Sequence, residues 1–230
     1  MKKYLLLLLL ISANLYAFPI HKDWKASFDI IRKNKIIGSH EIIFDQIDDE
    51  LFVKTKINIR VNILFFPAYR FSHLSTETWS NNEFVKFVGH TDFEDEREYF
   101  IKGEDIDNSF IAEGMDGEIR LDKSILPSNL WNQDILLEKE LFDIQKGVKR
   151  KITVKKLGEE EIGINNLRLN TLKFTFDASD NPKDKGPFPE YTLWYDEKKE
   201  LIKFQFINYK DKKVVTGIRN DLENNWKLSG

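Results

Sequence analysis

The chain has 230 residues, no cysteine, and a formal net charge of −3 from 35 basic and 38 acidic residues. No disulfide and no lipid-modified N-terminal cysteine can therefore form. The near balance of charge argues against nucleic acid and against an anionic membrane surface as partners.

The N-terminus has the pattern of a secretory signal peptide. Two lysines precede an apolar run over residues 4–11, and the small residue Ala17 follows. This run is shorter than the roughly 20 residues that a helix needs to cross a bilayer. We therefore expect residues 1–17 to be removed. The mature chain would be a single β domain over 18–230, periplasmic or secreted, with no membrane span after cleavage.

The mature chain shows a hydrophobic period of two. Over residues 51–65 the odd positions are apolar except for Thr55, and most of the even positions are lysine, arginine or asparagine. Residues 172–176 and 202–206 alternate in the same way, and short turn signals separate such stretches. The pattern predicts about twelve strands in an all-β fold. The expected architecture is a large curved antiparallel sheet or open half barrel with one solvent-exposed face.

The stretch 69–87 predicts a hairpin around a two-residue turn at Asn81-Asn82. That turn would pair Trp79 with Phe84 and place one set of side chains on a common face: His73, Ser75, Glu77, Lys86, Val88 and His90. The other face would carry Leu74, Thr76, Val85 and Phe87. Glu77 and Lys86 would then form a cross-strand ion pair.

This register raises the question of a metal site. His73 and His90 would lie about 5 Å apart, with Glu77 as a more distant third ligand. The alternative is a pair of half-buried histidines hydrogen-bonded to neighbours, and this is the interpretation that the pattern favours. We therefore expect no metal.

One segment breaks the strand pattern. Leu130, Leu137, Leu141 and Ile144 follow a helical spacing between Pro127 and Gly147, which predicts one helical segment over 128–147. The proline-rich stretch 177–190 predicts a surface loop. The basic stretch 149–156 predicts a solvated hairpin end.

Known catalytic and cofactor motifs are missing from the sequence. It has no cysteine nucleophile, no G-x-S-x-G, no G-x-x-x-x-G-K, no G-x-G-x-x-G and no H-E-x-x-H. Glu77 and Asp196 are the acids most closely surrounded by aromatic residues, and a structural role is the favoured interpretation of both. We expect no cofactor.

Several motifs resemble a family of exported bacterial proteins that is classed as a domain of unknown function. They are I-I-G-S-H over 36–40, P-A-Y-R-F-S-H-L-S-T-E-T-W over 67–79, S-N-L-W-N over 128–132, L-F-D-I-Q-K-G over 141–147 and L-W-Y-D over 193–196. Members tend to have a glycine at the turn that follows the tryptophan of the second motif, where this chain has Asn81-Asn82. The resemblance implies a strongly curved antiparallel sheet, closed or half closed, similar to that of periplasmic lipoprotein carriers. It implies no activity.

The aromatic content points to ligand binding. Aromatic residues make up 13% of the chain, including 18 phenylalanines, and a concave aromatic face can hold an apolar molecule. We expect a non-enzymatic protein that binds a lipid, another hydrophobic molecule or an envelope protein. The candidate ligand-binding residues are Tyr69, His73, Glu77, Trp79, Trp131, Trp194 and Tyr195. Two alternatives are an envelope hydrolase that uses His73, Glu77 and His90, and a scaffold protein that acts through a sheet edge.

Overall fold

Fifteen strands form one curved, mostly antiparallel sheet, which confirms the predicted all-β class. The computed structural model describes residues 24–63, 66–93, 97–209 and 211–222, so the predicted signal peptide lies outside the described residues. No helix in these ranges is long and apolar enough to cross a membrane. The strands are β1 Lys25–Arg32, β2 Lys35–Ile47, β3 Glu50–Ile63, β4 Phe66–Ser80, β5 Glu83–Phe93, β6 Arg97–Ile106, β7 Ser109–Gly114, β8 Gly117–Asp122, β9 Leu126–Pro127, β10 Glu140–Asp143, β11 Val148–Ile164, β12 Leu167–Ala178, β13 Tyr191–Asp196, β14 Leu201–Ile207 and β15 Val214–Arg219.

The sheet is a long meander whose two edges approach each other. Strand order runs from β8 through β1 to β15 and on to β9, so β8 and β9 are the edges. Residues 123–125 connect these edges directly. The Met115 amide also donates to the Lys146 carbonyl oxygen at 2.7 Å. Gly114 lies so close to Gly147 that a Cβ on Gly114 would be 2.5 Å from the Gly147 Cα. The sheet therefore curls around an interior without closing into a hydrogen-bonded barrel.

The alternation of side chains in β3 determines which face lines this interior. Leu51, Val53 and Thr55 are buried, whereas Lys54 and Lys56 are exposed. This is the pattern expected of a half-buried antiparallel strand.

The helical segment is much shorter than predicted. A 3₁₀ helix covers only Gln133–Leu137, where the Asn132 side chain caps the Asp134 amide. Leu141 lies in β10, so the helical spacing of the leucines was misleading. Residues 128–147, here called the inner segment, include the sheet strand β10 and supply buried side chains such as Ile135 and Phe142 to the core. A segment without a long helix can be buried because its polar backbone finds partners, as in the bond from the Ser128 amide to the Phe142 carbonyl oxygen at 2.8 Å.

The hairpin turn is confirmed, but most of the predicted register is wrong. Asn81 and Asn82 both have positive φ, Ser80 pairs with Glu83, and Trp79 pairs with Phe84 at a ring distance of 5.4 Å. Beyond that point a β-bulge places Val85 as an extra residue, so that the next pair is Thr78 with Lys86. One extra residue shifts every later position of β5 to the opposite face.

The bulge overturns the predicted contacts of this hairpin. Glu77 pairs in register with Phe87, so the two share the buried face, whereas the predicted register placed them on opposite faces. Lys86 lies outside and contacts Glu104 at 3.4 Å, so the predicted ion pair with Glu77 does not form. His90 lies on the outer face and stacks on Phe100 at 4.5 Å.

A second bulge shapes the opposite side of the sheet. Trp194 pairs with Lys203 whereas Tyr195 pairs with Leu201, which leaves Ile202 as the extra residue. Trp194 and Ile202 form a small outer cluster with Ile162 and Ile164, separate from the main core. The ammonium groups of Lys173 and Lys203 lie 5.0 and 4.3 Å from the Trp194 ring centre.

Candidate functional site

The interior of the curved sheet is only partly filled. The inner segment and the aromatic core occupy one part, and a cavity of about 590 Å³ occupies another. Its walls are largely aliphatic and aromatic, and they include Ile57, Ile59, Phe71, Phe176, Tyr191 and Phe206. A cavity of this size lies within the roughly 300–1,000 Å³ range of small-molecule sites.

Two loops cover the cavity. Residues 179–190, here called the cover loop, contribute Phe188, which packs on the rings of Phe176 and Tyr191 at 6.3 and 6.0 Å. The turn between β14 and β15 contributes Tyr209. A Cβ on Gly186 would lie 2.6 Å from the Tyr209 ring, so the two loops are in close contact at this glycine.

A buried ion cluster holds the cover loop. The Arg150 guanidinium donates to Asp143 at 2.9 Å, to Asp184 at 2.7 and 3.1 Å, and to the Ser179 carbonyl oxygen at 2.9 Å. Lys146 also donates to Asp184. Burial alone would raise the pKa of Asp184, but the hydrogen bonds from Arg150 and Lys146 outweigh it and hold that pKa at about 2.

Arg150 was predicted within a solvated basic stretch, and that prediction is wrong for this residue, because its side chain is only 1% exposed. The period of β11 explains the difference. Lys149 and Lys151, on either side, point outward and are exposed. Because successive side chains of a strand point to opposite faces, Arg150 is buried while Lys149 and Lys151 are in solvent.

The floor of the cavity is the part next to the packed core, formed by His40, Ile42 and Thr55. On the same strands, Phe44 and Val53 continue into the core. The His40 ring lies 5.5 Å from Phe28 and 6.0 Å from Phe204. Burial lowers the pKa of His40 to about 4, so its imidazole is neutral near pH 7.

The other buried histidine has a structural environment. The His73 Nδ1 lies 2.8 Å from the Thr91 hydroxyl, and Nε2 lies 3.0 Å from the Ser75 hydroxyl. Burial lowers the pKa of His73 to about 3, with smaller effects from His40 and His90. His73 and His90 lie on opposite faces of the sheet, so the metal site considered from the sequence does not form. The residues that the structure describes contain no group of three or more His, Asp or Glu that could hold a metal ion.

Glu77 anchors the inner segment to the sheet. Its carboxyl accepts hydrogen bonds from Trp79 Nε1 at 3.0 Å, from Trp131 Nε1 at 3.3 Å and from Asn129 Nδ2 at 2.9 and 2.8 Å. Burial raises the pKa of Glu77 to about 7, and these hydrogen bonds act in the opposite direction. Tyr195 supports the same segment by donating to the Leu130 carbonyl oxygen at 2.9 Å.

Of the seven candidate ligand-binding residues, one lines the cavity. Tyr69 is part of its wall. His73, Glu77, Trp79, Trp131 and Tyr195 lie in the packed interior, and Trp194 lies in the outer cluster. The sequence prediction had selected residues that are aromatic or close to aromatic residues, and most such residues stabilise the core.

Several cavity residues were missed as candidates. His40 stands in the I-I-G-S-H motif, which was noted only as a resemblance. Thr55 is the one polar residue among the inward positions of β3, and this break in the apolar pattern was a usable signal. Nothing in the sequence shows that the cover loop contacts Tyr209, because that contact joins two separate turns.

One solved structure supports the fold, and two further structures match with lower scores. A beta-barrel-like protein of the DUF1849 domain of unknown function from Brucella abortus superposes with a TM-score of 0.61 and 12% identity over 85% of this chain and 94% of its own. A protein from Bacteroides fragilis assigned as exported, with a YmcC-like fold, matches with a TM-score of 0.40, 11% identity and coverages of 88% and 96%. A protein from Parabacteroides distasonis assigned as a lipoprotein matches with a TM-score of 0.37, 10% identity and coverages of 88% and 95%.

Comparison at the level of sequence identifies the family. No curated protein matches the chain. The model of a domain of unknown function, DUF6134, matches residues 28–216, which run from β1 into β15 and include both the floor and the cover loop. The chain therefore belongs to the DUF6134 family.

Proposed function

We propose that this protein is an exported binding protein whose cavity holds a hydrophobic molecule such as a lipid acyl chain. The observation that carries the proposal is the cavity of about 590 Å³ with predominantly apolar walls inside a curved sheet. Filling such a cavity with an apolar molecule removes apolar surface from water, which is favourable by roughly 25 cal/mol per Å².

The distribution of charge supports an apolar guest. Four charged residues line the cavity: Asp143, Lys146, Glu190 and Lys212. Asp143 is bound to Arg150, and Lys146 is bound to Asp184. None of the four lies on β2 or β3, which carry the floor. A long apolar chain can therefore lie against the floor without burying a charge beside it.

The two alternative functions receive less support. His73 and Glu77 are buried away from the cavity, and His90 lies on the outer face, so a hydrolase that uses the three together has no common substrate position. A scaffold function would need an accessible sheet edge. The edge strands β8 and β9 have six and two residues and lie near each other in the curled sheet, which leaves little length for strand addition.

Filling the cavity tests the proposal. The uncharged fluorescent probe N-phenyl-1-naphthylamine should bind the mature protein at micromolar concentration. Ile57→Trp places a large ring in the cavity, and we expect it to weaken probe binding at least about tenfold, a loss of about 1.4 kcal/mol. Ile43→Trp is the matched control, because Ile43 is 42% exposed on the outer face of the neighbouring strand. Equal probe binding by the two variants would refute binding in the cavity.

Export is tested separately. The signal peptide predicts that protein isolated from the envelope fraction begins at Phe18 or within a residue or two of it. N-terminal sequencing measures this directly. A chain that begins at Met1 in the cytoplasmic fraction would contradict export and leave the cavity to serve a cytoplasmic ligand.

A further inference from the structure

We propose that the ligand carries an uncharged hydrogen-bonding group, such as a hydroxyl, ester or amide, which lies against His40 at the floor of the cavity. This inference rests on the proposed function and narrows it. The ligand would be an apolar molecule with a neutral polar end that enters first, rather than a fatty-acid anion held at its carboxylate.

The first observation is the contrast between the two buried histidines. Both ring nitrogens of His73 lie at hydrogen-bond distance from hydroxyl groups of the sheet. His40 is 6% exposed and lines the cavity, and among the described residues its ring–ring contacts are with Phe28 and Phe204. A buried imidazole offers one donor and one acceptor, and leaving them unmade is costly. A polar group inside the cavity is the natural partner.

The second observation is the neighbouring hydroxyl of Thr55. Ile42 pairs with Thr55, and His40 pairs with Ile57, so His40 and Thr55 are diagonal neighbours on the inner face. The Thr55 hydroxyl is buried and has no hydrogen-bond partner in the part of the chain that the structure describes. Two polar side chains therefore adjoin each other in a part of the wall that is otherwise apolar. Buried polar groups normally have partners. The Thr55 hydroxyl itself is closed off from the cavity, so the group that a ligand atom can reach at this point is the His40 ring, which lines the cavity.

The charge of that ligand group follows from what surrounds the floor. The ionisable groups on the strands that form it are His40 itself and outward-facing residues such as Glu41, Lys54 and Lys56. The cavity-lining lysines lie in turns and not on these strands. The buried Arg219 lies 5.7 Å from the Phe28 ring, but it is paired with Glu200 and Asp221 and is not part of the cavity lining. A carboxylate at the floor would lose its hydration without gaining a counter-charge, which is far more costly than burying a hydroxyl that is hydrogen-bonded.

A matched pair of ligands isolates this contact. 1-Dodecanol and tridecane have the same number of non-hydrogen atoms and differ in a terminal hydroxyl against a methyl group. Each is titrated into the mature protein to displace N-phenyl-1-naphthylamine at pH 7.5. The measured quantity is the ratio of the dodecanol affinity to the tridecane affinity. The two ligands differ in their free energy of transfer from water, but this difference is the same for wild type and variants, so it cancels when the ratios are compared.

His40→Phe keeps an aromatic ring but removes both hydrogen-bonding nitrogens. We expect it to shift the ratio against dodecanol by about three- to tenfold, the value of one neutral hydrogen bond, while tridecane binds as before. His40→Gln keeps a donor and an acceptor and should retain most of the preference. His90→Phe makes the same change on the outer face and should leave the ratio at the wild-type value.

The outcomes separate the two proposals. If the ratio is unchanged in His40→Phe while the probe still binds, the ligand makes no hydrogen bond to His40. This result overturns the present inference alone. The inference also fails if dodecanoate loses more affinity than dodecanol in His40→Phe, because the preferred group is then an anion. Absence of probe binding to wild-type protein overturns the proposed function and this inference together.

Discussion

Glu77→Ala is expected to lower the free energy of unfolding by about 3–5 kcal/mol at pH 5. The substitution removes the acceptor shared by the indoles of Trp79 and Trp131 and by the Asn129 amide, and it leaves a space in the core. Each buried donor that loses its partner costs about 1–3 kcal/mol. Because two of these donors belong to the inner segment, the loss should also loosen that segment from the sheet.

Urea unfolding of wild type and variant measures the difference. Glu83→Ala is the control on the same hairpin: its carboxyl is exposed and contacts Lys123 at 2.9 Å. A surface ion pair contributes up to about 1 kcal/mol, so this control should change stability little. A Glu77→Ala variant that is as stable as the control would contradict the anchoring role of the carboxyl.

Glu77 also predicts a pH dependence. Its pKa is about 7 in the folded protein against 4.5 for the free side chain, so the folded state holds its proton more tightly. The resulting stabilisation is complete below about pH 4.5 and is lost as the pH rises through 7, by about 3 kcal/mol in total. Glu77→Gln removes this titration, and its stability should fall less than that of wild type between pH 4.5 and 8. Parallel pH profiles would show that the carboxyl is ionised throughout.

Much of the fold follows from local patterns. The alternation in β3 predicted the strand and its buried face, and Asn81-Asn82 predicted a two-residue turn with Trp79 against Phe84. The register beyond this pair could not be predicted, because Val85 fits a strand equally well as a paired residue and as a bulge. One inserted residue reverses the faces of all that follow. The metal hypothesis for His73 and His90 depended entirely on that register.

The inner segment shows a different limit. Leucine spacing in 128–147 resembles a helical face, yet Leu141 is buried in a four-residue strand. Its conformation depends on tertiary contacts: β10 pairs with β9 and β11, and Asn129 and Trp131 bind Glu77. Such contacts between residues distant in sequence override local propensity. A curved sheet that closes only partly leaves an apolar interior, so a cavity could be expected from the strand pattern. The residues that line the cavity could not be predicted, because they depend on where the cover loop and the turn between β14 and β15 lie against the sheet.

The Arg150 cluster should control how readily the cover loop opens. Arg150 and Asp184 have side chains only 1% and 3% exposed, and the guanidinium also binds Asp143 and the Ser179 carbonyl oxygen. Its charged centre lies 5.4 Å from the Phe188 ring. One side chain thus joins the start, the middle and the aromatic end of the cover loop to β11. A lysine carries the same charge but cannot make this planar set of bonds.

Arg150→Met is expected to destabilise the protein by about 3–5 kcal/mol, because it leaves the carboxylates of Asp143 and Asp184 buried without their main partner. It should also open the cover loop. Trypsin cleavage after Lys183 and Lys185 should accelerate at least about tenfold, as expected when loop opening becomes easier by about 1.4 kcal/mol.

Arg150→Lys should fall between wild type and Arg150→Met in both measurements. Arg120→Met, at an exposed arginine that donates to Ser109 at 2.9 Å, should change neither by more than a small factor. If Arg150→Met unfolds more easily while its cover loop is cleaved no faster under native conditions, the ion cluster stabilises the sheet alone, and the loop is held by Phe188 and by the Gly186–Tyr209 contact.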